Sequence, residues 1–126
     1  MRKILFVCLG NIARSPMAEA IFNEMIKELG LEEEISADSA GLNPVYSTPT
    51  FEARETIKKL YGKDLLANHR SKSLAEVNLE DYDLILTMTR NQKHGLPKGK
   101  TYTLREFAGL EGDIEDPYSQ NMETYM

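Results

Sequence analysis

The segment CLGNIARS, from Cys8 to Ser15, combines residue types that could bind an oxyanion and attack it. Cysteine supplies a thiolate nucleophile, and Arg14, six residues later, supplies a planar donor that matches two phosphate oxygens. Gly10 and Asn11 tolerate the left-handed backbone that turns consecutive N–H groups into one concavity. The spacing therefore predicts phosphoryl transfer through a cysteinyl-phosphate, with Cys8 as the nucleophile and Arg14 as the phosphate clamp.

This chemistry requires a strand that ends at the cysteine and a helix that begins near the arginine. Ile4 to Val7 is an apolar run typical of a strand buried on both faces, and Pro16 to about Leu29 is amphipathic with helical periodicity. Ser15 before Pro16 resembles an N-cap followed by proline at the first helical position. The helix N-terminus would add unpaired N–H groups and the positive end of its dipole to the anion site.

Strands and helices alternate along the rest of the chain. Further strands are predicted at 34–40, 84–86 and 101–103, and helices at 50–61, at 73–77, before Gly95 and at 104–108. The predicted apolar faces are Ala18, Ile21, Phe22, Met25 and Leu29 in the first helix, and Ala53, Ile57 and Leu60 in the second. We expect a single three-layer α/β domain with a four-stranded, mostly parallel sheet and helices on both faces. In such a sheet the ligand lies beyond the carboxyl ends of the strands, where Cys8 is placed.

Composition narrows the function classes. A chain of 126 residues that is 41% hydrophobic, with a net charge of -5, is typical of one globular domain and disfavours nucleic acid or an anionic membrane as the partner. A single cysteine excludes an internal disulfide, and with only two histidines we expect neither a metal site nor a cofactor. No signal peptide and no apolar run of roughly 20 residues is present, so a cytoplasmic location is expected.

Several separated segments together resemble the low-molecular-weight protein-tyrosine phosphatase family. They are VCLGNIARSP at 7–16, SAG at 39–41, HRS at 69–71, DLILTMT at 83–89 and DPY at 116–118. The resemblance implies hydrolysis of phosphotyrosine in phosphorylated proteins. It also implies that Asp116 protonates the leaving group and then acts as base for the water that hydrolyses the phosphocysteine.

The same resemblance implies roles for further residues. The phosphate-binding loop would comprise Leu9, Gly10, Asn11, Ile12, Ala13, Arg14 and Ser15. The Ser15 hydroxyl would steady the thiolate, and Ser39 and His69 would support the loop through Asn11. Leu9, Ile12 and Tyr118 would form the apolar wall of the substrate pocket, with Tyr46 as a further candidate for its rim.

The substrate stays open between phosphotyrosine and phosphoarginine. TMT at 87–89 and TLREF at 103–107 are more similar to the bacterial branch that also includes protein arginine phosphatases. Those enzymes resemble one another in having Thr where this chain has Ile12, and Tyr118 stands where that branch commonly has Phe. The apolar Ile12 favours phosphotyrosine.

Other classes of protein also use this kind of cysteine. Arsenate reductases share the loop but need additional cysteines, and here Ala13 stands where the family commonly has a second one. A cysteine phosphocarrier would not need Arg14 or Asp116, and a phosphopeptide-binding module would bind without turnover. Both stay alternatives to the enzyme.

The end of the chain differs from the family pattern. Residues 121–126 resemble the start of a helix, whereas relatives usually continue into a long helix that covers one sheet face. We expect a phosphatase domain over 1–126 whose C-terminal helix is missing, with self-association through the uncovered face. A stable monomer in light scattering would contradict that expectation.

Overall fold

The computed structural model describes residues 2–107, so Asp116, Tyr118 and the predicted C-terminal departure lie outside the described residues. Four parallel strands form one sheet in the order β2-β1-β3-β4, as expected. The strands are β1 (Arg2–Cys8), β2 (Ile35–Gly41), β3 (Leu84–Thr87) and β4 (Thr101–Thr103). The helices are α1 (Arg14–Glu28), α2 (Phe51–Tyr61) and α3 (Leu104–Phe107), and single 3-10 turns lie at Leu74–Glu76, Leu79–Asp81 and Asn91–Lys93.

Strand β1 is central and hydrogen-bonds to β2 on one side and β3 on the other. Its residues Leu5 to Cys8 are at most 3% exposed, which confirms the predicted strand buried on both faces. Cys8 lies opposite Gly41 in the register with β2. Because all strands run the same way, their carboxyl ends meet at one edge of the sheet, and Cys8 is at that edge.

Within the described residues, α1 covers one face of the sheet and the 3-10 turns and loops around β3 cover the other, in agreement with the expected three layers. On one face, Leu5, Val7 and Ile85 pack against Tyr82 and Leu96 from the connections around β3. On the other face, Ala18 and Phe22 of α1 pack against a second cluster of sheet residues, which comprises Phe6, Cys8, Ala37 and Leu86. The Phe6 and Phe22 rings meet edge to face, with centroids 5.9 Å apart.

Helix α1 differs from its prediction at both ends. It begins at Arg14 after Ala13, so Ser15 is a helical residue and not the N-cap. Met25 and Leu29 are 52% and 69% exposed, although the prediction placed them on the apolar face. The half-buried Ala18 and Phe22, four residues apart, pack on the sheet, and Ile26 is buried one turn later, so Met25 and Leu29 face solvent.

Helix α2 follows its sequence signals closely. The Thr50 hydroxyl accepts a hydrogen bond from the Ala53 N–H at 3.1 Å, and Gly62 ends the helix with a φ of 73°. Ala53 and Ile57 are fully buried against α1. Leu60 is 49% exposed, contrary to the prediction, because α2 packs on one helix and buries only a narrow stripe.

Two predicted helices are single 3-10 turns. The segment predicted at 73–77 is the turn Leu74–Glu76, enclosed by a capping box between Ser73 and Glu76. The helix predicted before Gly95 is the turn Asn91–Lys93. Within residues 2–107, no helix has the length and hydropathy needed to cross a membrane.

Candidate active site

The sulfur of Cys8 lies at the carboxyl end of β1, and two groups that can donate hydrogen bonds face it. The Asn11 N–H donates to Sγ at 3.2 Å, and the Ser15 Oγ lies 2.9 Å from Sγ. Cys8 is 2% exposed. The chain between Cys8 and Ser15 therefore curls around the sulfur, as the spacing predicted.

Asn11 holds this curl together. Its φ of 55° is the one positive value found at a non-glycine residue of the described chain, a conformation that costs roughly 1–3 kcal/mol. Its carbonyl oxygen accepts from His69 Nε2 at 2.9 Å and from Ser71 Oγ at 3.1 Å. Since a carbonyl only accepts, the proton of the His69 ring sits on Nε2 in this contact.

The Asn11 side chain is fully buried and its amide is oriented by its neighbours. Oδ1 accepts from the Lys72 N–H at 3.0 Å, so the amide nitrogen faces the two serines. Nδ2 donates to Ser15 Oγ at 3.0 Å and to Ser39 Oγ at 2.8 Å. Ser39 and His69 thus contact Asn11 as the resemblance implied, and Ser71 adds a bond that the sequence did not assign.

Backbone bonds fix the same loop from outside. Leu42 N–H donates to the Cys8 carbonyl at 3.0 Å, and Asn43 N–H donates to the Leu9 carbonyl at 2.8 Å. Gly41 comes so close that a Cβ there would lie 2.9 Å from the Leu9 carbonyl oxygen. The resemblance includes Gly41 in the segment SAG but implies no role for it. This close contact explains why a glycine is needed at this position.

The N-terminus of α1 points into the same region. Ala13, its N-cap residue, makes no side-chain capping bond, and no acidic residue lies in the first turn of α1. The positive end of the helix dipole is therefore not offset by a carboxylate of that turn. Arg14 is the first residue of α1 and lines the cavity beside Cys8.

A cavity of about 140 Å³ opens beside Cys8. Its lining includes Arg14 and the apolar side chains of Leu9, Ile12, Val45 and Tyr46. Ile12 is 5% exposed and forms an inner surface, whereas Tyr46 is 65% exposed and stands at the mouth. Leu9, Ile12 and Tyr46 thus lie where the pocket wall was expected, and Val45 joins them without having been predicted.

Comparison with known proteins places this geometry in a family. A sequence model of the low molecular weight phosphotyrosine protein phosphatases matches residues 3–126. The chain belongs to this family.

Individual relatives of this phosphatase family include enzymes named for two substrates. A protein-arginine-phosphatase of Bacillus subtilis is 36% identical, over 97% of this chain and 83% of its own length. The low molecular weight protein-tyrosine-phosphatase YfkJ of the same organism is 42% identical, over 94% of this chain and 81% of its own. A solved low molecular weight protein tyrosine phosphatase from T. tengcongensis is 44% identical, with a TM-score of 0.87 over 99% of this chain and 88% of that one.

The expected resemblance to the low molecular weight phosphatases, including the branch with arginine phosphatases, is confirmed. The described structure brings together the predicted loop, the supporting residues Ser39 and His69, and the cavity. Asp116 and Tyr118 lie outside the described residues, so their predicted placement beside Cys8 stays a prediction.

Proposed function

We propose that this phosphatase hydrolyses phosphotyrosine in proteins through a cysteinyl-phosphate. The observation that carries the proposal is the surrounding of the Cys8 sulfur by the Asn11 N–H and the Ser15 hydroxyl, at the uncapped N-terminus of α1. Hydrogen-bond donors and the helix dipole stabilise an anionic sulfur, which is the nucleophilic form. The same positive end would hold a phosphate group.

In the proposed reaction the Cys8 sulfur attacks phosphorus, and the bond from phosphorus to the tyrosine oxygen breaks as the S–P bond forms. Arg14 and the backbone N–H groups of the loop hold the non-bridging oxygens and balance the charge of the transition state. Asp116 gives its proton to the leaving oxygen and then removes a proton from the water that splits the S–P bond. Since Arg14 and the backbone supply the positive charge, the mechanism needs no metal ion.

The side chains around the cavity favour an aromatic substrate. Leu9, Ile12, Val45 and Tyr46 offer apolar contact. A phenyl ring gains free energy from contact with such apolar walls. The proposed substrate is therefore phosphotyrosine.

Phosphoarginine is the second candidate substrate. It is favoured by the similarity to the protein-arginine-phosphatase of Bacillus subtilis, which extends over 97% of this chain. The segment TLREF at 103–107 is also more similar to that branch.

The test is turnover of two peptides of identical sequence, one carrying phosphotyrosine and one phosphoarginine, in the presence of a chelator. We expect faster turnover of phosphotyrosine and none with the Cys8→Ser variant. Preference for phosphoarginine would overturn the substrate assignment. Binding of either peptide without turnover would indicate a binding module, and a phosphocysteine that transfers its phosphate but resists water would indicate a phosphocarrier.

A further inference from the structure

Glu19 lies on α1 one turn after Ser15 and has no part in the chemistry above. Its Oε1 accepts a hydrogen bond from Ser39 Oγ at 2.5 Å. Ser39 is fully buried on β2 and also contacts Asn11, whereas Glu19 lines an open groove between α1 and β2. One carboxylate at the back of α1 is thus connected through two side chains to the loop that surrounds the nucleophile.

The direction of each bond on this path follows from the donor and acceptor capacity of the groups. A carboxylate only accepts, so the single Ser39 proton goes to Glu19 and Ser39 Oγ accepts from Asn11. The Asn11 amide can present only its two N–H groups to the serines, because its oxygen already accepts from Lys72. Both serine oxygens therefore act as acceptors towards Asn11.

The same donor and acceptor capacities determine which group donates in the contact at the sulfur. Ser15 Oγ accepts from Asn11 at 3.0 Å, so its own proton is available for Cys8 Sγ, 2.9 Å away. The hydrogen-bond path thus has Cys8 and Glu19 as terminal acceptors at its two ends, and it runs between them through Ser15, Asn11 and Ser39. Without an acceptor at the Glu19 end, the buried Ser39 proton has no assigned partner in the path and the fixed direction is lost.

We propose that Glu19 is a positioning residue for the nucleophile. Its carboxylate holds Ser39 as an acceptor for Asn11, and this keeps Asn11 in the left-handed conformation that aims its N–H at Cys8. The inference rests on the proposed function only for its effect on turnover. Its effect on the sulfur and on anion binding is measurable without any substrate.

The environment of Glu19 separates this role from a purely structural one. Burial raises the pKa of Glu19, while the Ser39 hydrogen bond and the charges of His69 and Lys72 oppose the rise and Asp38 adds to it. A carboxyl group with a raised pKa in the folded state lowers the free energy of unfolding as pH rises above its ordinary value of 4.5. An ionised Glu19 thus reduces stability, so Glu19→Gln should weaken function without lowering Tm.

The experiment measures alkylation of Cys8 by iodoacetamide and the concentration of inorganic phosphate that halves its rate. Glu19→Leu removes the acceptor, and we expect about tenfold slower alkylation and about tenfold weaker protection, the scale of one lost hydrogen bond to a charged group. Glu19→Gln keeps an acceptor and should change both by about threefold. The control is Glu24→Gln, on the same helix and groove but paired with Lys63 at 3.0 Å, which should stay within about twofold of wild type.

Two further comparisons make the outcome decisive. The double variant Glu19→Leu with Ser39→Ala should be no worse than Ser39→Ala alone, because both changes interrupt one path. The difference between wild type and Glu19→Gln should shrink as pH falls below the raised pKa of Glu19. The proposal is overturned if both Glu19 variants show wild-type alkylation and phosphate protection. It is also overturned if the effects add in the double variant, or if the difference between wild type and Glu19→Gln does not depend on pH. If Glu19→Leu does not fold, the result with Glu19→Gln decides.

These readouts distinguish the inference from the proposed function. A chain that turns over neither phosphopeptide can still show the Glu19 effect on Cys8 alkylation. A chain with full turnover and no Glu19 effect would keep the proposed function and lose the inference.

Discussion

The two long helices of the described structure begin in opposite ways. At α2, the Thr50 hydroxyl caps the first turn through the Ala53 N–H, and Glu52 lies beside the positive end of the dipole. At α1, Ala13 offers no capping group, the first turn holds no acid, and Arg14 adds positive charge. The N-terminus of α2 is therefore stabilised by a cap and an acidic residue, whereas the positive end of the α1 dipole has neither in its first turn.

This difference locates the functional site by physics alone. A helix start without a cap or an acid forgoes about 1 kcal/mol that ordinary sequences obtain easily. Ser15, which could have been the cap, instead contacts the Cys8 sulfur. Local rules of stability fail where the chain serves another purpose, and here they fail at the N-terminus of α1.

The strongest way to break the α1 end is to change Asn11. Asn11→Ala removes three side-chain hydrogen bonds and disfavours the positive φ, so we expect kcat/KM to fall about a hundredfold or more. Asn11→Gly restores the backbone freedom but not the amide, and should recover only part of the loss. Steady-state kinetics of the two variants separate backbone from side chain, and equal values would mean that the conformation at this position is unimportant.

A smaller loss is expected when the hydroxyl beside the sulfur is removed. Ser15→Ala removes the acceptor of one Asn11 amide proton and one of the two groups that face the sulfur, so kcat/KM should fall about tenfold to a hundredfold. The rate of Cys8 alkylation should fall in parallel. Unchanged alkylation would show that Ser15 does not act on the sulfur.

Specificity should respond more weakly than rate. Ile12→Thr replaces an apolar inner surface of the cavity by a hydroxyl, and we expect the ratio of phosphotyrosine to phosphoarginine turnover to fall by about tenfold. Paired measurements with matched peptides give the ratio independently of enzyme concentration. An unchanged ratio would show that other residues of the cavity determine the specificity.

The matched change at the α2 end should hardly affect catalysis. Thr50→Ala removes the cap of α2 and should lower the free energy of unfolding by about 1 kcal/mol, with kcat/KM changed by less than about twofold. Urea unfolding and steady-state kinetics on one preparation test both parts. A large catalytic loss would show that the two helix ends are energetically coupled.

Sequence reasoning was most successful where a local signal decides the structure. The continuous apolar run before Cys8 predicted a strand buried on both faces, and Thr50 and Gly62 bounded α2 closely. The predicted burial of Met25 and Leu29 was wrong, because helical periodicity does not show which side chains of a helix pack against the sheet and which against α2. Packing partners are a property of the tertiary fold.

The candidate site shows the same division. The type and spacing of Cys8 and Arg14 predicted the chemistry, because the anion loop is continuous in sequence. Glu19 received no role, since nothing local shows that it meets Ser39, twenty positions further along the chain. Ser15 carried a misleading signal, because a serine before a proline is also what a helix cap requires.

The loop is held by partners that are far away in the chain. His69 and Lys72 reach Asn11 across 58 and 61 positions, and both contacts form only after β1, β2 and the segment that follows α2 have come together. Such contacts carry a loop-closure entropy and form only with the complete fold. Phosphate bound at this loop should therefore stabilise the whole domain: by mass action it should raise the free energy of global unfolding, and it should protect remote backbone amides from hydrogen exchange as well as those of the loop.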